Sequence, residues 1–180
     1  MNIYFAGTPN SAAEILKSIA LNDLFSVKGV ITQPDKKGKR GNQRIESPVS
    51  LMAKSLNLQT FKPHNLAKEE IQNDFDITNA DVLVVVAYGN LIPTWILESN
   101  IKAINIHYSL LPSYRGASPI QSSLLNNDKK TGVTFMQMSE DLDAGKVIKC
   151  FEVAINNNDN KSELTLLMEA MGGGGETIRK

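Results

Sequence analysis

The stretch MNIYFAGTPNSAAEILKSIALNDLFSVKGVIT, residues 1–32, decides the fold. Asn2 to Ala6 is a short apolar run that ends at Gly7-Thr8-Pro9, so it reads as a strand followed by a turn. Ser11 and Glu14 have capping-box spacing. Ala12, Ile15, Leu16, Ile19 and Ala20 then recur at helical period. Val27 to Thr32 is a second apolar run. Strand, helix, strand is a βαβ unit, which favours a mostly parallel central sheet with helices on both faces. The first turn has a single glycine and lacks the G-x-G-x-x-G fingerprint, which argues against NAD or FAD.

Further along, Asp81 to Gly89 (DVLVVVAYG) is nearly all apolar and reads as a strand buried on both faces. From Ala103 to His107 the residues alternate. Ala103, Asn105 and His107 share one face, Ile104 and Ile106 the other. The chain then leaves this strand through Ser109-Leu110-Leu111-Pro112 and a Ser-Tyr-Arg-Gly turn. Gly132 to Met138 and Lys146 to Ile155 read as an antiparallel hairpin with a long acidic tip, Ser139 to Gly145. Helices are expected over Val49–Asn57 behind a Ser47-Pro48 start, over Leu66–Asn73, briefly after Pro93, and from Ser118-Pro119 to about Asn126. A last helix follows the Asn160 and Glu163 capping-box spacing and runs to Met171. The glycines Gly172 to Gly175 each cost roughly 1 kcal/mol in a helix. The helix is expected to stop there, giving a domain over 1–171 and a glycine-rich tail over 172–180.

The 180 residues suit one domain, 42% hydrophobic and 21% charged. Nineteen basic residues balance nineteen acidic ones, so any attraction to nucleic acid has to come from a local patch. One cysteine, Cys150, leaves no internal disulfide and fits a reducing compartment. The N-terminus has no charged region followed by a long apolar core, so no signal peptide is expected. The longest apolar run, Val82 to Ala87, is too short to span a bilayer. The best candidate for a local patch is the polar loop from Gln33 to Glu46, which carries Lys36, Lys37, Lys39, Arg40 and Arg44. By composition it is either a solvated charged loop or a phosphate-contacting arm.

Two histidines are present. His64 sits in a polar connection and is assigned no role. His107 shares its face with Asn105, and the turn carrying Asp141 and Asp143 ends another strand. An amide donor, an imidazole and a carboxylate are the parts that acyl transfer needs. The amide can hydrogen-bond a developing oxyanion, and the imidazole can handle a proton near neutral pH. A capped strand end with unrelated turn aspartates is the other reading of the same spacing. No G-x-S-x-G, Walker A or H-E-x-x-H motif is present, and one cysteine with two separated histidines makes a thiolate-rich metal site implausible.

Asn105-Ile106-His107-Tyr108-Ser109-Leu110-Leu111-Pro112, together with Leu142-Asp143-Ala144-Gly145, resembles the 10-formyltetrahydrofolate-dependent formyltransferases. Phe5-Ala6-Gly7-Thr8-Pro9, Thr32-Gln33-Pro34-Asp35, Ser47-Pro48-Val49, Val85 to Gly89, Tyr114 to Gln121 and Thr131 to Thr134 resemble the branch whose acceptor is initiator methionyl-tRNA. The resemblance runs from residue 1 to about residue 168. It implies a Rossmann-like formyltransferase fold, no metal and no covalent enzyme intermediate. It makes Asn105, His107 and Asp143 the catalytic trio. Ser109, Leu110, Leu111 and Pro112 would line the folate pocket, and Lys36, Lys37, Lys39, Arg40 and Arg44 would meet the tRNA. A monomeric cytoplasmic enzyme of translation initiation is implied, away from any membrane. The family's C-terminal β-barrel is not part of these residues, and tRNA handling is expected to be poorer than folate binding. Tyr108 departs from the smaller residue usual at that place. The same trio serves formyltransferases for glycinamide ribonucleotide or amino-sugar nucleotides, and a non-catalytic folate- or RNA-binding module would share the fold.

Overall fold

A computed structural model describes residues 1–38, 44–66, 79–156 and 158–172. Strands β1 (Asn2–Gly7), β2 (Ser26–Ile31), β5 (Thr60–Phe61), β6 (Val82–Val86), β7 (Lys102–His107), β8 (Lys130–Gln137) and β9 (Val147–Ala154) form one seven-stranded sheet. Their order is β5-β2-β1-β6-β7-β8-β9. The pairs from β5 to β7 are parallel, and β8 and β9 join antiparallel, so the expected mostly parallel sheet with a C-terminal hairpin is observed. A separate two-stranded ribbon, β3 (Lys36–Lys37) with β4 (Arg44–Ile45), forms the legs of the basic loop.

Five helices are described: α1 (Asn10–Ala20), α2 (Pro48–Ser55), α3 (Thr94–Leu97), α4 (Pro119–Leu125) and α5 (Lys161–Gly172). The helix expected over Leu66–Asn73 falls, from residue 67 on, outside the described residues. Alternation along the strands divides the core in two. Ile3, Phe5, Val84, Ile104, Ile106 and Phe135 pack under α1, α2 and α5. Tyr4, Ala6, Leu83, Val85 and Ala103 pack on the other face with Ile96 of α3. A sheet covered on both sides is what the unbroken Val82–Val86 run requires, and all five of its residues are buried.

Two helix starts follow the sequence and one departs from it. The Ser47 hydroxyl accepts from the Ser50 amide at 3.0 Å and caps α2. Asn160 and Glu163 close a reciprocal box: the Glu163 amide donates to Asn160 Oδ1, and the Asn160 amide donates to Glu163 Oε2 at 2.8 Å. The Ser11–Glu14 box does not form. Pro9, extended, takes the N-cap without a side-chain bond, and the Ala13 amide donates to its carbonyl. At the other end α5 runs one residue past Met171, because Gly172 is pressed against its neighbours. A Cβ there would lie 2.8 Å from Ile15 Cδ1 and 3.4 Å from Ile106 Cγ2.

β1 is flanked by β2 on one side and β6 on the other, so the direction of winding reverses between β1 and β6. Crevices in such sheets open at the carboxyl ends of the strands beside that reversal. Gly7-Thr8, Ala87-Tyr88 and His107 all stand at that end. Among the described residues no helix is long and apolar enough to cross a membrane.

Candidate active site

A cleft of about 460 Å³ lies over the ends of β6 and β7, closed on one side by the turn between β8 and β9. Its polar floor is Asn105, His107 and Asp143. Strand β7 delivers the first two to one face, as the alternation requires. Asp143 comes from the far turn, 36 residues beyond His107 in sequence. The turn lies close to β8 because residue 145 is glycine: a Cβ there would sit 1.8 Å from the Gln137 carbonyl oxygen.

The three side chains meet. Asn105 Nδ2 donates to Asp143 Oδ1 at 3.2 Å, and His107 Nδ1 lies 3.7 Å from Asp143 Oδ2. The imidazole and the carboxylate are both buried, with side chains 7% and 6% exposed. Asp143 Oδ2 also accepts from the Gly116 amide at 2.7 Å. The loop after β7 thus helps to hold the carboxylate beside the imidazole. His107 Nε2 lies 3.0 Å from the Tyr114 carbonyl oxygen. A carbonyl only accepts, so Nε2 carries the hydrogen and Nδ1 is the ring nitrogen turned toward Asp143.

Backbone strain gathers here. Ala87 (φ 45), Tyr114 (φ 55) and Asp143 (φ 49) are non-glycine residues in the left-handed region, and all three border the site. Such conformations cost of order 1–3 kcal/mol each and collect at functional sites. Tyr114 is pinned in its strained place by its hydroxyl, which lies 2.5 Å from Asp128 Oδ2 and accepts from Asn126 Nδ2 at 2.9 Å. The Asp128 contact also lifts the Tyr114 phenol above its ordinary pKa.

Ser109, Leu110, Leu111 and Pro112 follow β7 directly and are not among the residues that line this cleft. Ser109 is fully buried and donates to the Ser113 carbonyl at 2.6 Å, while Thr134 Oγ1 donates to the Ser109 carbonyl at 2.6 Å. Leu110 packs over Gly132, where a Cβ would meet Leu110 Cδ2 at 2.5 Å. The loop is committed to β8 and turns the chain back, with a cis Leu111–Pro112 bond. The apolar walls are Leu91, Ile92, Met136, Met138 and Leu142, of which only Leu142, in Leu142-Asp143-Ala144-Gly145, belongs to a motif. Tyr108 follows His107 and therefore turns to the α1/α5 side, where burial and, less strongly, Glu169 raise its pKa. Its bulk is absorbed by the core.

Lys36, Lys37 and Arg44 are exposed on the β3–β4 ribbon. Lys39 and Arg40 lie outside the described residues. The ribbon springs from the cleft rim: Gln33 lies against Gly89 and donates from Nε2 to Asn90 Oδ1 at 3.4 Å.

A Rossmann-like sheet with an amide, an imidazole and a carboxylate around one cleft defines the class, and a model of the formyl transferase family matches residues 1–172. The chain belongs to that family. It is 39% identical over 173 residues to the methionyl-tRNA formyltransferase of Buchnera aphidicola subsp. Acyrthosiphon pisum (strain Tuc7). That alignment covers 96% of this chain and 55% of the relative, so the chain spans about half the relative's length. Its fold is similar to phosphoribosylglycinamide formyltransferase from Bacillus Halodurans, with a TM-score of 0.73 and 24% identity over 96% of this chain and 90% of that one. Glycinamide ribonucleotide transformylase 1 from Geobacillus kaustophilus gives a TM-score of 0.74 and 21% identity over 96% and 92% of the two chains. WlaRD, a sugar 3N-formyl transferase, gives 0.69 and 23% identity over 99% and 61%. At these identities the structural likeness is one of fold.

Proposed function

We propose that this chain carries the catalytic site of an enzyme that transfers the formyl group of 10-formyltetrahydrofolate to the α-amine of initiator methionyl-tRNA, a one-carbon step in translation initiation. The observation that carries the reading is the meeting of the partly buried Asn105 with the buried His107 and Asp143 at the floor of a mostly apolar cleft. Its volume falls within the roughly 300–1,000 Å³ of small-molecule sites. Leu91, Ile92, Met138 and Leu142 offer walls for a flat donor, with the formyl carbon over the polar floor.

The amine lone pair forms a bond to the formyl carbon, and the carbonyl π pair moves onto oxygen. Asn105 keeps one amide hydrogen on Asp143 and has the other free for that oxygen. A proton taken up at His107 Nδ1, the nitrogen beside Asp143, would give a second donor shared between that carboxylate and the oxygen. Such preorganised donors are each worth about a hundred- to a thousandfold in rate. When the tetrahedral centre collapses, the C–N bond to the folate breaks. The amine gives up a proton and the departing folate nitrogen takes one. Asp143 holds His107 and Asn105 for this step and orients a water that passes the proton.

The choice of methionyl-tRNA rests on two supports: the relative of that name, and a ribbon of exposed cations at the cleft rim. A small acceptor has no need of such a ribbon, whereas a phosphate backbone does. The test is formyl transfer from 10-formyltetrahydrofolate to three acceptors: methionyl-tRNA, glycinamide ribonucleotide and an amino-sugar nucleotide. Transfer to methionyl-tRNA alone is expected. Preference for either small amine would defeat the tRNA assignment while leaving the formyl chemistry.

A further inference from the structure

The basic ribbon is built of two strands with two residues each. A ladder so short is marginal by itself in water, so something else must set its direction. Its two feet are acidic: Asp35 precedes Lys36 and Glu46 follows Ile45. Both feet converge on one ammonium. Lys62 Nζ lies 2.6 Å from Asp35 Oδ1 and 3.0 Å from Glu46 Oε2. All three side chains are largely shielded, at 26%, 18% and 22% exposure. Lys62 directly follows β5, so the clamp is anchored on the central sheet.

The rest of the foot is equally tied down. Glu46 also pairs with Lys54 of α2 and accepts from the Ser50 hydroxyl at 2.7 Å. Ser47 Oγ lies 2.7 Å from Thr32 Oγ1 at the end of β2. Charge is sorted in a telling way. The carboxylates at the feet are neutralised by Lys62 and Lys54. Lys36, Lys37 and Arg44 form no ion pair with any described residue. Were Lys62 absent, Asp35 and Glu46 would be the nearest anions in sequence to those cations and would compete with an external phosphate.

We infer that Lys62 is a positioning residue for the acceptor: by bridging Asp35 and Glu46 it fixes the ribbon at the cleft rim and leaves Lys36, Lys37 and Arg44 free for tRNA phosphates. This inference rests on the methionyl-tRNA reading above. A preset ribbon binds without first having to be ordered, which is where its contribution to affinity lies.

The test uses the full chain with Lys62→Met, which keeps bulk and removes charge, and Lys62→Arg, which restores it. Asp35→Asn serves as an independent way to open one foot. In Lys62→Met the KM for methionyl-tRNA is expected to rise about tenfold, the cost of ordering a loosened ribbon. Its dependence on salt is expected to grow shallower. Saturating kcat and 10-formyltetrahydrofolate binding should stay at wild-type values. Amide exchange at residues 33–38 and 44–47 should quicken, and Lys62→Arg should restore both KM and exchange. Quickened exchange without a change in KM overturns the inference, as does unchanged exchange. A control separates it from its premise. If Lys36→Ala with Lys37→Ala leaves the tRNA KM untouched, the ribbon's part in acceptor binding fails. If that pair raises KM and Lys62→Met does not, only the clamp fails.

Discussion

The cleft and the basic ribbon lie side by side and are held by opposite means. In the cleft His107 and Asp143 are buried, and the carboxylate is fixed by Asn105, Gly116 and the acidic turn. Three strained residues surround them. In the ribbon Lys36, Lys37 and Arg44 are exposed and two short strands carry them. Fixation is confined to the feet, through one largely shielded ion cluster. The contrast suits the two proposed tasks. A donor aimed at a developing oxyanion acts through geometry in a low dielectric and tolerates little displacement. A cation drawn to phosphate acts over several ångströms in salt water and needs only a direction.

The contrast can be pressed at several points. The largest effect is expected in the cleft floor: His107→Ala and Asn105→Ala should each lower kcat by about a hundred- to a thousandfold with little change in KM, read by steady-state transfer. Next comes the support behind the imidazole. Tyr114→Phe removes the hydroxyl that meets Asp128 and Asn126 and loosens the carbonyl that fixes His107. Losing such a bond is worth about a tenfold drop in kcat. A smaller effect belongs to the ribbon. Lys36→Ala and Lys37→Ala together should weaken tRNA binding and lower its log–log salt slope by about one for each phosphate left without its cation. A fall in kcat there would erase the division between the regions.

The mildest effect is one of pH. Lys54, then Ser50 and Lys62, hold the Glu46 carboxyl down at about 2, from its ordinary 4.5. A depressed carboxyl stabilises the fold in full above its unfolded pKa, and that share is lost as pH falls through the folded value. The foot of the ribbon should therefore loosen between pH 4.5 and about 2, seen as quickened exchange at residues 44–47. Glu46→Gln should remove that dependence.

Much of the architecture is legible in the sequence. Periodicity alone separates the strands from α1, and the unbroken Val82–Val86 run announces a sheet covered on both faces. Alternation puts Asn105 and His107 together, since neighbours on one strand face are set by the pleat. What cannot be read are bonds made by backbone across loops. The Tyr114 carbonyl on His107 and the Gly116 amide on Asp143 leave no periodic trace. Leu91 escapes for the same reason, because it sits in an irregular segment whose spacing carries no signal. The bonds of Ser109 to Ser113 and Thr134 are likewise invisible in the motif that contains it. Lys62, 27 residues from Asp35 and 16 from Glu46, has no sequence neighbour to give it away.

Asp143 is the residue on which the catalytic reading is most exposed, since Asn105, His107 and Gly116 all converge on it. The most direct test is single-turnover formyl transfer to methionyl-tRNA by Asp143→Asn, with 10-formyltetrahydrofolate binding measured on the same protein. A loss of at least about a hundredfold in the transfer rate, with the donor still bound nearly as tightly as by the wild type, is the result expected. A wild-type rate, or a rate loss fully explained by weaker donor binding, would contradict the claim that these side chains converge to handle one carbonyl.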